Sequence, residues 1–271
     1  MERIFFACFF CVYLISCNLI LDGSQYPRFD LTDTLDYEIV KEGKFFGPCD
    51  PPNHIKCTRA QAEYVHLTGG APEHLLDWAN DLIIGQFAPE AKAPHVVLSE
   101  FVDDFQTLQA EEGEEFFSGW DYQLKQQVLF NRAGLLSVHQ FNMTYTGGAH
   151  GNYSNTHLNL DLNQKKPLTL GDLIQPENLK EFIRVAEQVF RAEYGIPTQE
   201  SINAIGFWFA DNKFYLPEDF AILEEGLSFR FPTYEVASFA DGELEFTVPR
   251  KSVFPLLDEE SSLFRVYASL P

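Results

Sequence analysis

Residues 135–162 read LLSVHQFNMTYTGGAHGNYSNTHLNLDL, and this stretch decides the fold. Its first part, Leu135–Tyr145, has the composition of a strand, and its last part, Tyr153–Leu162, places leucine at every second position near its end. Alternation of this kind is typical of strands with one buried face. A short glycine-rich connection joins the two parts, so the sequence predicts an antiparallel hairpin.

Further strand and helix signals flank this hairpin. Trp120–Phe130 alternates in the same way and Asn131–Gly134 is a turn candidate, so three strands are expected to form an antiparallel meander. Pro176–Tyr194 repeats apolar residues at helical spacing and is followed by a glycine, which predicts a helix. Two earlier helices are predicted to begin near Pro72 and at Pro94, where proline suits the first turn.

The C-terminal part of the chain carries mostly short strand signals. They lie at Ile205–Phe209, Lys213–Leu216, Phe220–Leu223, Leu227–Phe231, Glu243–Val248 and Leu263–Tyr267, with a short helix predicted at Arg250–Leu257. Runs of strands with a few helices, rather than regular alternation of the two, indicate the α+β class. We therefore expect antiparallel sheets with a few amphipathic helices, arranged in two packed subdomains.

The charge balance excludes one class of partner. The 271 residues include 40 Asp and Glu against 19 Lys and Arg, which gives a formal net charge of −21. Nucleic-acid binding needs a basic face that neutralises phosphates, so no nucleic-acid partner is expected. Hydrophobic residues make up 45% of the chain and include 26 Phe, so a folded interior rich in phenylalanine is predicted.

An apolar run near the N-terminus predicts export and lipid attachment. Ile4–Ile15 is shorter than the roughly 20 residues needed to span a bilayer, but it fits the apolar part of a secretory signal. It ends in Leu14-Ile15-Ser16-Cys17, which resembles a bacterial lipobox. That resemblance implies a signal peptide over residues 1–16 and a lipid on Cys17 that anchors the chain to a membrane. Because Asn18 follows rather than Asp, it implies the outer membrane. The alternative is an ordinary signal peptide with an unrelated cysteine.

Two cysteines beyond Cys17 remain after the signal. Cys49 and Cys57 bracket a turn-rich segment with two prolines, and in an oxidising compartment they are expected to form a disulfide. Free thiols, or a metal site completed by His54, are the alternatives, although this spacing matches no standard zinc pattern. No metal or cofactor is predicted, because the sequence has no phosphate loop, dinucleotide fingerprint or Gly-x-Ser-x-Gly elbow.

The connection between the two hairpin strands is the candidate binding site. Its predicted binding residues are Tyr145, Gly147, Gly148, His150 and Gly151. Three glycines in five residues allow positive φ angles and close backbone approach. The segment is either a tight turn with His150 hydrogen-bonded locally, or a ligand nest of exposed amides in which His150 is the polar contact. No catalytic residue is assigned.

The hairpin also carries a family resemblance. Leu136–Val138 through Tyr145–Gly151 looks like the signature of the RsiV-like and PdaC-like bacterial envelope domains. Further matches follow in consistent order at Leu168–Leu173, Phe214–Pro217, Gly226–Phe229, Tyr234–Phe239, Gly242 and Val248–Pro249. A weaker match covers Tyr37–Gln86.

The resemblance implies a domain organisation. After the signal peptide over residues 1–16 and a tether over residues 17–36, it implies a PdaC-like α+β domain over residues 37–162. An RsiV-like α+β domain is expected over residues 163–271.

The resemblance also implies a class of function. One member of these families is an anti-sigma factor whose extracellular part binds lysozyme, and another carries this region beside a polysaccharide deacetylase domain. This sequence shows neither a sigma-binding segment nor a deacetylase signature. It is therefore expected to be a lipid-anchored, non-enzymatic binding module of the cell envelope. Its ligand would be a basic envelope protein, such as a lysozyme-like wall hydrolase, or a peptidoglycan or other glycan. The alternative is an envelope polysaccharide deacetylase or hydrolase that uses His150.

Overall fold

The computed structural model describes residues 29–50, 53–88, 92–113 and 118–271. The predicted signal peptide, the predicted lipidation site Cys17 and most of the predicted tether lie outside these ranges. The described residues form a mixed α+β fold with a six-stranded sheet, a three-stranded sheet and five α-helices.

The larger sheet runs in chain order from one edge to the other. Its strands are β1 (Asp36–Phe46), β2 (Thr58–Gly69), β3 (Asp121–Arg132), β4 (Leu135–Tyr145), β5 (Asn152–Asp161) and β6 (Lys166–Pro167). Every neighbouring pair is antiparallel except β2 and β3, which are parallel. The predicted meander of β3, β4 and β5 is confirmed.

Two helices make the crossover that the parallel pair needs. Parallel neighbours require a long connection, usually helical, and here α1 (Glu73–Gly85) and α2 (Pro94–Glu112) lie between β2 and β3 in the chain. Both pack against the larger sheet through buried apolar residues at helical spacing, such as Leu75, Ala79 and Ile83 of α1.

The second half of the chain builds the smaller sheet and its helices. α3 (Leu179–Glu193) precedes β7 (Phe220–Ile222), β8 (Gly226–Phe231) and β9 (Leu244–Pro249), and α4 (Arg250–Val253) and α5 (Ser262–Ser269) follow. The three strands pair antiparallel in chain order. Helix α3 buries Phe182, Ala186 and Phe190 against them, as its periodicity predicted.

Three of the predicted strands are not strands in the structure. The strand predicted at Leu263–Tyr267 is part of helix α5, because the Ser261 hydroxyl caps the helix by accepting a hydrogen bond from the Phe264 amide. The buried apolar positions there, Leu263, Val266 and Tyr267, have the i, i+3, i+4 spacing of a helix face, but a run this short does not identify the period by itself.

The predicted strands at Ile205–Phe209 and Lys213–Leu216 are irregular chain instead. The side chain of Asn203 binds both the amide and the carbonyl of Phe209, which closes a loop. Asp211 and Asn212 then have φ angles of 53° and 55°, which no strand accommodates.

The two halves of the chain meet in one shared cluster of buried residues. Phe130 and Leu135 of the larger sheet belong to the same buried cluster as α3 and the smaller sheet. The buried Asn159 of β5 donates to the carbonyl of Phe220 and accepts from the amide of Ile222. The two packed subdomains that the sequence predicts are therefore present and share one buried cluster, whereas two further clusters lie within residues 29–162 alone.

The end of the predicted tether is packed onto the domain. Phe29 and Leu35 are buried, and their amides donate to the side chains of Asn163 and Asn131. Phe29 and Leu35 thus pack onto the domain, although both lie before the expected boundary at residue 37.

Cys49 and Cys57 are joined as a disulfide pair. Their Sγ atoms are 2.03 Å apart and their Cα atoms 4.6 Å apart, inside the roughly 7 Å that a disulfide can bridge. With both sulfurs joined, neither is available to bind a metal ion. Among the described helices, none is both long and apolar enough to cross a membrane.

Candidate functional site

The predicted binding turn is a strand–turn–strand junction between β4 and β5. Tyr145 ends β4, and its hydroxyl donates to the carbonyl of Gly148 at 3.1 Å. Gly147 and Gly148 have φ angles of 106° and 96°, in the region that side chains disfavour. Gly151 has an ordinary φ, but a Cβ there would approach the carbonyl oxygen of Thr144 at 3.1 Å. The glycines are therefore needed for backbone geometry.

His150 is exposed at the tip of this turn. Its Nδ1 lies 3.1 Å from the carbonyl oxygen of Gly151, and its ring stacks on Phe239 with centroids 4.9 Å apart. Within the described residues, no carboxylate is bonded to it. The turn thus brings together the predicted residues but does not place His150 beside an acid in a cleft, which the hydrolase alternative requires.

Four rings from distant parts of the chain form an aromatic surface around the turn. This aromatic surface consists of His150, Tyr153, Tyr234 and Phe239. Phe239 lies between His150 and Tyr234, whose ring centroid is 5.6 Å away, with Tyr153 at 6.0 Å. Tyr234 is 63% exposed, so a face of the stack is open to solvent.

The loop that carries Tyr234 and Phe239 is held in place locally. Ser238 and Asp241 bond each other and each other's backbone in a capping box around Phe239. Glu235 accepts from the ring nitrogen of Trp208 through its carbonyl and from the hydroxyl of Tyr215 through its carboxylate. Burial, followed by this bond to Glu235, raises the pKa of Tyr215 to about 12.

A separate cavity of about 770 Å³ lies between α3, β5 and the segment that precedes β7. Its volume is in the range of small-ligand sites. Much of its wall is apolar and comes from Leu168, Leu170, Leu179, Ile183, Phe214 and Leu216. The polar groups on it include His157, Asp219 and Glu218, and none of the described residues that line it is a lysine or an arginine.

His157 and Asp219 are paired at this cavity. The Nδ1 atom of His157 lies 2.6 Å from one Asp219 oxygen, and the His157 amide donates to the other at 2.7 Å. The His157 side chain is 3% exposed and that of Asp219 25%. Sequence reasoning missed this pair, because 62 residues separate its members and no motif links them.

Next to His157, a series of polar side chains connects the larger sheet with the smaller sheet. The ring of His139 lies 5.1 Å from that of His157, and its Nε2 donates to the side-chain oxygen of Asn155 at 2.7 Å. Asn155 then donates to Glu243, which is bridged to Glu245 by Arg230. These bonds satisfy several polar groups whose burial would otherwise be costly, although Nε of Arg230 has no hydrogen-bond partner among the described residues. Across the described ranges, no three His, Cys, Asp or Glu side chains lie together as a metal site.

We expect the folded protein to lose stability below about pH 6.5 because of His139. Burial, the nearby His157 and Arg230 lower the pKa of His139 from its ordinary 6.5, although the bond to Asn155 and the charge of Glu245 oppose this. The unfolded chain therefore binds the proton at a higher pH than the folded chain, and stability falls as the pH drops. Urea unfolding at about pH 8 and about pH 5.5 measures this slope. His139→Gln should flatten it, and an unchanged slope would contradict the assignment.

Gly148→Ala should lower the free energy of unfolding by about 1 kcal/mol. A Cβ at this position meets no atom within 4 Å, so the penalty comes from its φ of 96° alone. His150→Ala, two residues away, is the matched control and should change stability by less than about 0.5 kcal/mol, since its side chain is exposed. Urea unfolding compares them, and a larger loss in the histidine variant would show that the ring supports the fold.

One family model is similar to part of the chain. A family model described as a protein of unknown function, DUF3298, matches residues 171–251. This range includes Asp219 and the loop of Tyr234 and Phe239, but not the turn of His150. No sequence among the curated proteins matches the chain.

Solved structures show the same fold. The chain is similar to a DUF3298-family protein from Bacteroides fragilis NCTC 9343 at 18% identity, covering 89% of this chain and 100% of that one with a TM-score of 0.72. It is also similar to a DUF3298-family protein from Pseudomonas aeruginosa PAO1 at 16% identity, covering 84% and 97% with a TM-score of 0.60. Residues 171–251 thus match the DUF3298 model, and the chain has the same fold as these two solved proteins.

Proposed function

We propose that this protein is a lipid-anchored binding module of the bacterial cell envelope that recognises a glycan through its aromatic surface. The observation that carries the proposal is the stack of His150, Phe239 and Tyr234, with Tyr153 at its side. The finer resemblance to RsiV-like and PdaC-like envelope domains also supports the proposal, because the turn that carries that resemblance forms one edge of this surface.

The chemistry of a sugar ring suits this surface. A pyranose presents an apolar face of C–H groups and a rim of hydroxyls, and aromatic rings offer a flat apolar face with little conformational entropy to lose. The capping box around Phe239 holds its ring in place before a ligand arrives. Glu235 and Asp241 lie next to the surface in the chain and supply carboxylates that accept hydrogen bonds from hydroxyls.

Binding to purified peptidoglycan tests the glycan proposal. Tyr234→Ala and Phe239→Ala should each weaken co-sedimentation with insoluble peptidoglycan about tenfold, equivalent to roughly 1.4 kcal/mol. His150→Ala should weaken it with little change in melting temperature. Phe45→Ala is the matched control, because Phe45 is a 52% exposed ring on β1 in the other part of the molecule. If Tyr234→Ala, Phe239→Ala and His150→Ala bind peptidoglycan as tightly as Phe45→Ala does, the aromatic surface has no role in binding.

A basic protein partner is the second candidate, and the net charge of −21 favours it. If charge alone holds a lysozyme-like hydrolase on this protein, added salt should weaken the binding steeply. The reason is that surface charges are screened over about 8–10 Å near physiological ionic strength. The binding should also be insensitive to Tyr234→Ala. Calorimetry with the basic protein at low and high salt separates this candidate from glycan binding.

Anchoring is tested at Cys17, outside the described residues. The Leu14-Ile15-Ser16-Cys17 pattern motivates the expectation that Cys17→Ala releases the protein from the membrane fraction. Mass spectrometry of the wild-type protein should show a lipid on Cys17. An unmodified mass together with unchanged fractionation would leave an ordinary secreted protein.

A further inference from the structure

The cavity beside α3 has an uneven distribution of hydrogen-bonding groups. Asp219 is a carboxylate and can only accept hydrogen bonds, so the Nδ1 atom of His157 must carry the hydrogen that joins them. In a neutral imidazole this leaves Nε2 as an acceptor. Among the described residues, Nε2 has no hydrogen-bond partner.

The charge at the cavity has one sign. When the imidazole is neutral, the His157–Asp219 pair carries a net charge of −1, and Glu218 adds a second carboxylate at the rim. No described lining residue is a lysine or an arginine, so an anionic ligand would find no counter-charge. Arg230 lies in the adjoining cavity of about 420 Å³, where Glu243 and Glu245 already neutralise it.

The rest of the wall is apolar and suits the body of a ligand. Leu168, Ile183, Phe214 and Leu216 line it, so burial of a hydrocarbon chain there would be favourable because it removes apolar surface from water. An apolar wall with a few convergent polar groups is the usual composition of a small-molecule site.

We propose that this cavity binds a small primary amine with an apolar body, with the ammonium donating to the Asp219 carboxylate. The ammonium supplies a charged donor to a carboxylate for which the described lining residues offer no lysine or arginine, and the hydrocarbon covers the leucine-rich wall. The site is separate from the aromatic surface and does not depend on the glycan proposal.

Calorimetric titration with n-octylamine, n-octanoate and n-octanol tests the site. The protein for this experiment begins at residue 18, so it keeps every described residue and lacks the lipidation cysteine. One molecule of octylamine should bind saturably, because its ammonium makes an ionic contact with Asp219. Octanol has no charge and should bind more weakly. Octanoate carries the opposite charge and should bind at least about tenfold more weakly than octylamine. Octanoate binding as tightly as octylamine would overturn the proposal.

Two variants separate the cavity from general attraction of a cation to an acidic protein. Leu179→Trp places a larger ring at the cavity without changing the charge, and the position is 39% exposed and so tolerates the ring. This variant should abolish the single saturable binding of octylamine.

Asp219→Asn should weaken the affinity for octylamine about tenfold or more. Asp103→Asn, which removes an exposed acid on α2, is the control and should leave the affinity unchanged. Octylamine binding that survives Leu179→Trp, or that occurs at several equivalent sites, would refute the cavity as the site even if Asp219→Asn fails to fold. Tyr234→Ala should leave octylamine binding unchanged.

Discussion

Phe190→Ala is expected to lower the free energy of unfolding by about 3–5 kcal/mol, the range for removal of a large aromatic ring from a well-packed core. Phe190 is fully buried on the inner face of α3. Six aromatic rings have centroids between 4.7 and 5.7 Å from its own, namely those of Tyr194, Phe207, Phe209, Phe214, Phe231 and Phe246. The space it leaves is bordered by rigid rings, so the surroundings can collapse only partly and a cavity remains.

Urea unfolding of this variant measures the loss, and Phe45→Ala is its control. Phe45 is 52% exposed on the edge strand β1, so removing its ring should change stability by less than about 1 kcal/mol. A loss below about 2 kcal/mol for Phe190→Ala would show that the aromatic cluster repacks and is more plastic than its geometry indicates.

Gly119→Ala should also be strongly destabilising, by about 1–3 kcal/mol or more. A Cβ on Gly119 would overlap the backbone carbonyl of Cys57, which cannot rotate away as a side chain could. The amide of Gly119 also donates to the carbonyl of Ile55 at 2.8 Å, so the two segments cannot separate without losing this bond. The clash lies where the parallel pairing of β2 and β3 begins, at Arg59 and Asp121.

Gly85→Ala is the matched control for this substitution. Gly85 ends helix α1, and a Cβ there meets nothing within 4 Å. Because alanine is a better helix former than glycine, this variant should be neutral or more stable by up to about 1 kcal/mol. Thermal and urea unfolding of both variants test the pair, and equal effects would mean that the crossing of the two segments is loose enough to admit a methyl group.

Local structure was largely predictable from the sequence. The predicted strand Leu135–Tyr145 is confirmed with its bounds, and the helices near Pro72, at Pro94 and over Pro176–Tyr194 exist with small shifts at their ends. In long segments, the spacing of the apolar residues identifies the secondary structure, because these residues must all lie on the buried side of the helix or strand. The turn at Gly147 and Gly148 was predictable for a similar reason, since clustered glycines mark positive φ angles.

Short segments were the least predictable part. Leu263–Tyr267 is predicted as a strand because a run of five residues, four of them apolar, is too short to show its period, and the cap at Ser261 favours a helix. Ile205–Phe209 is apolar enough for a strand, yet the side chain of Asn203 holds it in a loop. Side-chain bonds to backbone compete with strand pairing in ways that hydrophobic pattern does not record.

The candidate sites also differ in whether they depend on local sequence or on tertiary contacts. The sequence by itself determined the acidic charge, the α+β class, the hairpin and the glycine turn with His150, because each depends on composition or on residues close together in the chain. Only the tertiary structure decided that Tyr234 and Phe239 complete an aromatic surface around His150, and that Asp219 pairs with His157 at a cavity. Those partners are 62 to 89 positions apart, and they meet because the two sheets pack through one shared core, whose pairwise contacts no local periodicity encodes.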